Sequence, residues 1–341
     1  MNQARRLLAL AGLAWTTPGA AQPEHPPAPP PSAWTELLGE YGPDSLVRLI
    51  ILENGGVLVV RLSPVRTARL DPAGRDRWRL TEFGREVREL RVRRAAGTGR
   101  IVALQLGDSL WPRRASGPDE GNVFRIVPVR PVAELRREAL AAAPAAENGE
   151  FRASDLVELV SLDSTIKLEI RYATSHNFLG TPVYTQARAF LQRPAAEALV
   201  RAHRALRTRG YGLLIHDGYR PWYVTRLFWD ATPPALRDFV ADPASGSRHN
   251  RGCAVDLTLY HVASGAVVEM PGGYDEMSPR SHPDYPGGSS LQRWHRDLLR
   301  RALEAEGFTV NEVEWWHFDY RDWRSYGIEN MPFERLRTGR P

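Results

Sequence analysis

The sequence predicts an α+β protein whose N-terminal part is rich in β-strands. Its 341 residues suffice for about two domains. Residues 34–130 consist of short apolar runs separated by turns that contain glycine or proline, which is typical of a β-rich domain. Residues 151–341 mix helical and strand patterns without regular βαβ alternation, which favours the α+β class.

Composition excludes several other classes of protein. Charged residues make up 25% of the chain and hydrophobic residues 43%, values that are ordinary for soluble domains and unlike collagen, coiled coils or disordered chains. No apolar run reaches the roughly 18 residues that a membrane-spanning helix needs, so we expect no membrane span. The single cysteine, Cys253, excludes an intramolecular disulfide and a cysteine-based zinc site.

The first residues have the pattern of a secretory signal peptide, predicted over residues 1–21. Arg5 and Arg6 form a short basic region, Leu7–Trp15 is too short to span a bilayer, and Gly19-Ala20-Ala21 places small residues at a cleavage point. The protein is therefore expected to be exported, either periplasmic or secreted. The alternative is a frayed terminus of a cytoplasmic protein.

Residues 22–33 are predicted to form a proline-rich linker. The ten residues Pro23–Ser32 include six prolines. Because proline fixes φ and lacks an N–H group, this composition favours an extended spacer between the export signal and the folded body.

Residues 34–130 are predicted to form a β-rich accessory domain. Asn54-Gly55-Gly56 joins the apolar runs Val47–Leu52 and Val57–Leu62, and Asn-Gly supplies the positive φ values that a tight hairpin needs. Three further strands are expected at Val87–Arg93, Ile101–Leu106 and Phe124–Val129. This domain shows no nucleophile or metal-binding pattern, so its role stays open.

Positive charge is concentrated in the accessory domain. The whole chain carries a formal net charge of +5, whereas residues 61–100 hold twelve arginines against five acidic residues. The simpler interpretation is a solvated strand face rich in arginine. We expect no nucleic-acid partner, and a contact with anionic cell-wall polymer is the alternative. The oligomeric state does not follow from the sequence.

Residues 131–150 are predicted to contain a helix, Val132–Ala142, followed by a linker of small and polar residues. The C-terminal domain is predicted at residues 151–341. Strands are predicted in that domain at Leu156–Leu162, Ile166–Tyr172, Tyr211–Ile215, Ala254–Tyr260, Phe308–Val310 and Val313–Phe318. Helices are predicted at Pro194–Arg207, Trp222–Trp229, Pro234–Val240 and Leu291–Glu306.

Two of the nine histidines lie in short segments that also contain acidic residues. A catalytic zinc site needs three protein ligands and one open position, and imidazole and carboxylate both suit the ion. His249, Asp256 and His317 would supply two nitrogens and one oxygen, with Gly252 letting the chain turn between the first two. The alternative is that both histidines are structural, as we expect for His203.

A carboxylate near such a metal could take a proton from its bound water. Glu314 is the best candidate for this base, three residues before His317. In a regular strand, residues i and i+3 face opposite sides. Both side chains can therefore reach one ion only if the predicted strand Val313–Phe318 bends or ends there.

These segments resemble a known group of zinc peptidases. The pattern Ser247-x-His249-x-x-Gly252-x-Ala254-x-Asp256, followed by Glu314-x-x-His317, is similar to the superfamily of lysostaphin, D-Ala-D-Ala metallopeptidases and hedgehog, and most similar to the VanX-type D-alanyl-D-alanine dipeptidases. The supporting segments are Ile170–Thr174, Asn177-Phe178-x-Gly180, Asp217–Pro221 and Tyr274–Met277. The resemblance covers about residues 155–335. It implies a zinc-peptidase domain with a small antiparallel sheet flanked by helices.

The resemblance also implies a set of catalytic residues. His249, Asp256 and His317 would bind one zinc ion per chain. Glu314 would act as general base and then donate the proton to the leaving amine. Arg220 would hydrogen-bond the scissile carbonyl and stabilise the developing oxyanion.

Four further residues would bind the substrate or support its binding, again by resemblance. Asp275 and Ser247 would receive the free ammonium group, and Tyr172 would line the pocket. Asp217 would either orient the arginine or simply cap a turn. Cys253 stands where the family more often has a small residue such as serine, and its closeness to the site implies sensitivity to thiol reagents.

The leading hypothesis is therefore an exported zinc dipeptidase with D-Ala-D-Ala as its small peptide substrate. A D,D-carboxypeptidase or endopeptidase acting on peptidoglycan stem peptides is an alternative, but its wider cleft would not need the ammonium anchor Asp275. A non-catalytic, zinc-stabilised binding module is a third hypothesis. Glu314 and Arg220 argue against it, because binding alone needs neither residue.

Overall fold

The computed structural model describes residues 25–43, 49–114 and 123–336. The predicted signal peptide and the first residues of the proline-rich linker lie outside these ranges. Within the ranges, no helix is both long enough and apolar enough to cross a membrane.

An eight-stranded antiparallel sheet forms the N-terminal part, after a short helix α1 (Ser32–Thr35). Its strands follow one another in sequence order, each pairing with the next. They are β1 (Gly39–Tyr41), β2 (Leu49–Asn54), β3 (Val57–Ser63), β4 (Arg66–Gly74), β5 (Arg77–Glu82), β6 (Arg85–Arg94), β7 (Ile101–Leu106) and β8 (Ser109–Pro112).

The predicted hairpin at Asn54-Gly55-Gly56 is present. Asn54 pairs with Val57 across the turn, and the two glycines have φ values of 58° and 80°. Both angles lie in the left-handed region that glycine enters without steric cost. The turn that the sequence predicts therefore sets the register of β2 against β3.

One face of this sheet is apolar and the other carries arginine. The buried face pairs Val60 with Ala68, Leu70 with Leu80 and Val92 with Leu104 across neighbouring strands. The exposed arginines on the opposite face are Arg69, Arg77, Arg79, Arg91 and Arg93. Asp71 and Glu89 lie among them and form ion pairs with Arg69 and Arg91. The geometry agrees with a solvated, arginine-rich strand face.

The predicted strand at Phe124–Val129 is wrong. This segment is extended, but it makes only separate backbone hydrogen bonds, from Ile126 N to Phe178 O and from Val129 N to Ala231 O, both 3.0 Å long. Ile126 is buried in the core of the C-terminal part and Phe124 packs against that core, whereas Val127 and Val129 are exposed. Helix α2 (Val132–Ala141) follows and packs against α5 (Trp222–Ala231).

The C-terminal part is built on a five-stranded mixed sheet. Its spatial order is β10 (Lys167–Leu168), β12 (Tyr211–Asp217), β13 (Ala254–His261), β15 (His317–Tyr320) and β14 (Phe308–Val310). Helices α4 (Arg193–Arg207) and α6 (Ser290–Glu304) contact this sheet and each other. Strands β9 (Leu156–Glu158) and β11 (Phe190–Gln192) form a separate pair.

The expectation of a purely antiparallel sheet is corrected at one edge. Strand β10 pairs in parallel with β12, whereas the other three pairs are antiparallel. Parallel neighbours need a crossover connection, and the chain between them contains helix α4.

Several predicted elements are shorter than expected or of another type. Leu156–Leu162 is a strand only to Glu158, after which α3 (Leu159–Leu162) is helical. Of Ile166–Tyr172, only the two residues of β10 are strand. Pro234–Val240 forms a 3₁₀ turn, Pro234–Phe239, rather than an α-helix. Apolar residues made each run resemble one regular element, but the first run is divided between a strand and a helix, and the 3₁₀ turn contains no buried residue.

A buried histidine connects helix α4 to strand β12. His203 Nδ1 accepts a hydrogen bond from Leu213 N at 3.0 Å, and its Nε2 lies 2.9 Å from Thr165 Oγ1. Burial lowers the pKa of His203 to about 4, because desolvation disfavours the charged imidazolium. The residue therefore stabilises the fold in its neutral form.

The contribution of His203 to stability is expected to depend on pH. The unfolded chain takes up this proton near the ordinary pKa of 6.5, but the folded protein does so only near 4. Stabilisation is therefore complete above pH 6.5 and is lost as the pH falls toward 4. The difference in melting temperature between wild type and His203→Gln should shrink between pH ~7.5 and pH ~4.5. The exposed His25→Gln serves as control, and a pH-independent difference for His203 would contradict the assignment.

Candidate active site

Three of the predicted site residues are neighbours across the central strands. Asp217 at the end of β12 is opposite Asp256 on β13, and Asp256 is opposite His317 at the start of β15. Because adjacent strands run antiparallel here, the end of one strand lies beside the start of the next. The sheet thus places these side chains together at one of its ends.

His249 reaches the same place from a tight turn before β13. It lies in the 3₁₀ turn Arg248–Arg251, which Ser247 and Asn250 cap through reciprocal side-chain bonds. Gly252 ends the turn with φ 65°, and a Cβ atom there would lie 2.5 Å from Leu156 Cδ2. Glycine is therefore required at this position by both conformation and space.

The donor atoms of His249, Asp256 and His317 form a nearly regular triangle. His249 Nε2 lies 3.1 Å from His317 Nδ1 and 3.2 Å from Asp256 Oδ1, and His317 Nδ1 lies 3.0 Å from Asp256 Oδ1. Ligands at zinc distances on a tetrahedron are separated by about 3.3 Å. All three residues are buried, so this donor set fits a divalent metal ion.

In both histidines, the ring nitrogen outside the donor triangle is hydrogen-bonded, which orients the imidazole ring. His249 Nδ1 lies 2.7 Å from Gly218 O, and His317 Nε2 lies 3.0 Å from Asp319 Oδ1. Such outer partners orient metal-binding imidazoles and leave the other nitrogen free to coordinate. Asp319 was missed by the sequence analysis. Its spacing of two residues from His317 on one strand face could have indicated it.

Asp256 is held in its charged form. Burial would raise the pKa of this carboxyl group, but His249 and His317 outweigh burial and hold the pKa well below its usual range. Tyr274 OH also donates to Asp256 Oδ2 at 3.2 Å. A charged carboxylate with one oxygen in the donor triangle is suited to bind a cation.

Glu314 lies in a turn and not in a strand. The predicted strand Val313–Phe318 is correct only for His317 and Phe318, because strand pairing begins at His317 and the preceding turn closes through a bond from His317 N to Glu314 O. The turn removes the conflict between i and i+3 side chains, and Glu314 Oε2 lies 3.6 Å from His317 Nδ1. Burial raises the pKa of Glu314 to about 7, a value suited to accepting and returning a proton near neutral pH.

Arg220 is fixed by a buried carboxylate and two aromatic rings. Its Nε and terminal nitrogen lie 2.9 Å and 2.8 Å from Asp217 Oδ2. Its guanidinium carbon is 5.3 Å and 5.0 Å from the ring centres of Tyr172 and Phe228. Asp217 also accepts a bond from Tyr184 OH at 2.8 Å, a partner that the sequence analysis missed. Of the two expected roles for Asp217, the geometry matches orientation of the arginine.

Asp275 is a buried carboxylate in a strained conformation. Tyr172 OH lies 2.9 Å and 3.1 Å from its two oxygens, and its φ of 56° is unusual for a residue with a side chain. Burial first, and then the negative charge of Asp256, raise the pKa of Asp275 well above its ordinary value. A cation placed beside this carboxylate would relieve the cost of burying its charge.

A cavity of about 190 Å³ joins these residues. It is smaller than the roughly 300–1,000 Å³ of sites for drug-sized ligands. The predicted site residues that line it are Tyr172, Arg220, Ser247, His249, Asp256, Asp275, Glu314 and His317. Asp217 lies behind Arg220, and Ser247 Oγ also accepts a bond from His249 N at 3.2 Å. The cavity suits a small polar ligand with charges of both signs.

The expected reactivity of Cys253 is wrong. Its side chain is buried in the hydrophobic core, and burial raises its pKa to about 12. Thiol reagents act on the thiolate, so neither access nor ionisation favours a reaction. The residue packs beside the site as a small apolar group.

The C-terminal part of the chain is similar to known proteins. The family model described as "D-ala-D-ala dipeptidase" matches residues 152–331. A D-alanyl-D-alanine dipeptidase of Escherichia coli K12 is 35% identical over 175 residues, which is 51% of this chain and 89% of that protein. Proteins of the same name from Enterococcus faecium and Streptomyces coelicolor are 36% and 34% identical and are covered over 87% and 92% of their lengths.

The matched region contains the whole donor triangle and the cavity around it. It extends over more than half of the chain, and each of these relatives is covered over most of its length. The chain therefore belongs to the family of D-Ala-D-Ala dipeptidases, which are zinc metallopeptidases.

Proposed function

We propose that this chain hydrolyses free D-Ala-D-Ala to two molecules of D-alanine with one bound zinc ion. One observation carries the proposal: the donor triangle, the carboxyl groups of Glu314 and Asp275 and the fixed guanidinium of Arg220 line a single small cavity. The names of the relatives support D-Ala-D-Ala as the substrate.

The donor set supports zinc as the metal. Two imidazole nitrogens and one carboxylate oxygen leave a fourth tetrahedral position open, as in catalytic zinc sites. A bound ion of this kind supplies a Lewis acid that makes water a stronger acid and polarises a carbonyl group.

Glu314 moves the proton in the proposed reaction. Its carboxylate accepts a proton from the attacking water as the new carbon–oxygen bond forms. The same carboxyl group then returns the proton to the leaving nitrogen as the peptide bond breaks. A carboxyl group with a pKa of about 7 can perform both transfers near neutral pH.

Arg220 stabilises the charge that develops on the scissile carbonyl oxygen. Asp217 and the rings of Tyr172 and Phe228 already hold its guanidinium group in the cavity wall. Little reorganisation is therefore needed when the negative charge appears, which is the condition for strong electrostatic catalysis.

Asp275 restricts the enzyme to free dipeptides. Its carboxylate would pair with the substrate's ammonium group, with Tyr172 holding it in place and Ser247 as a neighbouring polar contact in the same cavity. A peptide with a blocked or extended N-terminus would leave the buried carboxylate unpaired, and the small cavity leaves little room for extra groups. This argument favours a dipeptidase over a carboxypeptidase or endopeptidase.

We also propose export, on the basis of the N-terminal sequence alone. The basic residues Arg5 and Arg6, the apolar run Leu7–Trp15 and the small residues before Gln22 support cleavage after Ala21. N-terminal sequencing of the protein recovered from cells tests this, because an intact N-terminus in the mature protein would contradict it.

Release of D-alanine by the purified full chain tests the proposed activity. D-Ala-D-Ala should be hydrolysed by the zinc-loaded protein, the chelator-treated protein should be inactive, and added zinc should restore the rate. His249→Ala should bind less zinc and show no turnover, with His261→Ala outside the cavity as the matched control. Turnover that persists after complete removal of metal would contradict the proposal.

A further inference from the structure

The tip of the β2–β3 hairpin contacts the first residue of helix α6. Glu53 is buried, with only 2% of its surface exposed. One carboxylate oxygen accepts from Ser290 N at 2.7 Å and the other from Gly56 N at 2.6 Å. Gly55 N donates to Ser290 Oγ at 2.9 Å. Glu53, a residue of the N-terminal sheet, thus accepts hydrogen bonds both from its own hairpin and from the start of helix α6.

Glu53 places a negative charge at the N-terminus of helix α6, whose own first turn has none. The first turn of α6 contains no acidic residue, and its capping box uses Ser289 and Gln292. Carboxylates near a helix N-terminus are stabilised by the exposed N–H groups and the positive end of the helix dipole. The carboxylate therefore completes the start of this helix from outside.

Arg293 joins the hairpin to the end of the loop before α6. Its guanidinium donates to Glu53 O at 2.7 Å and to Gly288 O at 3.0 Å. Glu53 N in turn donates to Gly288 O at 3.1 Å, and Leu52 forms a parallel bridge with Gly288. The C-terminal end of the loop is therefore bonded to the hairpin by backbone and side chain.

This loop, residues 270–289, contains Asp275. The loop is also attached beside the base, where Trp315 N donates to Ser281 O at 2.7 Å, and at Tyr285 O, which accepts from Arg296 at 2.8 Å. Within the loop, Glu276 accepts from Gly273 N at 2.9 Å and from Ser278 Oγ at 2.9 Å. Asp275 itself is held at φ 56°, a conformation that persists only when the surroundings enforce it.

We propose that Glu53 is a positioning residue and that the N-terminal sheet braces the loop that presents Asp275 to the substrate. This rests on the proposed function, because the ammonium of the dipeptide is the group that Asp275 would receive. The accessory sheet acts through the hairpin tip, without contacting substrate. Its effect falls on substrate binding and leaves the metal, Glu314 and Arg220 in place.

Hydrogen exchange and kinetics on the full-length, zinc-loaded protein test this proposal. Glu53→Gln keeps the size of the side chain but turns an NH₂ group toward a donor. We expect faster amide exchange in residues 272–282, unchanged exchange in 254–261, and KM for D-Ala-D-Ala raised about tenfold, the cost of one charge-assisted hydrogen bond. The value of kcat and the zinc content should change little. Glu82→Gln, which loses an ion pair with Arg66 on the same sheet, is the matched control.

The outcomes separate this proposal from the proposed function. Exchange that rises only in the hairpin, or kcat that falls while KM is unchanged, would overturn the bracing role. The exchange measurement needs no substrate, so it tests Glu53 even if D-Ala-D-Ala is not hydrolysed. Arg293→Lys loses the forked contact to the same carbonyls and should give the same pattern, which provides a second test if Glu53→Gln folds poorly.

Discussion

Glu314→Gln is expected to lower kcat for D-Ala-D-Ala by about 10²–10⁴-fold, the range for loss of a general acid–base group. Glutamine keeps the shape of the side chain but cannot accept the proton of the attacking water. Its position is preserved because the turn before His317 is closed by backbone atoms. Steady-state release of D-alanine measures the loss.

The zinc content of Glu314→Gln decides how the loss is interpreted. Glu314 is outside the donor triangle, so the variant should bind one zinc ion as the wild type does. Glu312→Gln changes an exposed carboxylate two residues before Glu314 and should retain full activity. Wild-type kcat in Glu314→Gln would contradict the assignment of the base, and loss of zinc would assign the residue to the metal site instead.

Arg220→Lys is expected to lower kcat by about 10²–10³-fold, the cost of removing one preorganised oxyanion donor. Lysine keeps the positive charge beside Asp217, so the buried carboxylate stays compensated. The ammonium group cannot reproduce the planar fork that binds Asp217 through two nitrogens and lies against Tyr172 and Phe228. Steady-state kinetics with D-Ala-D-Ala measures the effect.

The division between kcat and KM tests the role of Arg220. A group that acts mainly in the transition state lowers kcat and kcat/KM together. A higher KM with unchanged kcat would instead mean that Arg220 only binds the ground state. Arg226→Lys, on the following helix and paired with Asp230, is the control and should leave both constants near wild type.

The metal ligands could be predicted from the sequence because their chemistry is local. His249, Gly252 and Asp256 lie within eight residues of one another, and the left-handed φ of Gly252 has the function that the sequence suggested. His317 is distant in sequence, and its pairing opposite Asp256 depends on the order of strands in the sheet. Within the sequence, only their shared resemblance to one family connects the two segments.

Periodicity failed where apolar residues are buried outside regular structure. Trp315 and Trp316 are both buried, so the run Val313–Phe318 resembled a strand, yet the backbone turns there and pairing begins at His317. Phe124–Val129 also resembled a strand, although only Ile126 of this run is buried and Val127 and Val129 are exposed. An apolar run alone does not identify a strand, because hydrogen bonding is what separates a strand from other chain.

Long-range polar contacts could not be predicted at all. Glu53 and Ser290 are 237 residues apart, and neither has a local pattern that identifies its partner. The sequence therefore predicted a β-rich accessory domain but did not indicate its role. The contact of its hairpin with the start of α6 depends on how two surfaces distant in sequence meet, which no local signal encodes.

Asp275 is expected to make this protein a dipeptidase by binding the substrate's ammonium group. The most direct test compares kcat/KM for D-Ala-D-Ala with that for N-acetyl-D-Ala-D-Ala, in the wild type and in Asp275→Asn. The wild type should prefer the free dipeptide by at least about a hundredfold, as expected when a buried charge loses its partner. Asp275→Asn should lose most of that preference. Equal hydrolysis of both substrates by the wild type would contradict the claim and favour a carboxypeptidase.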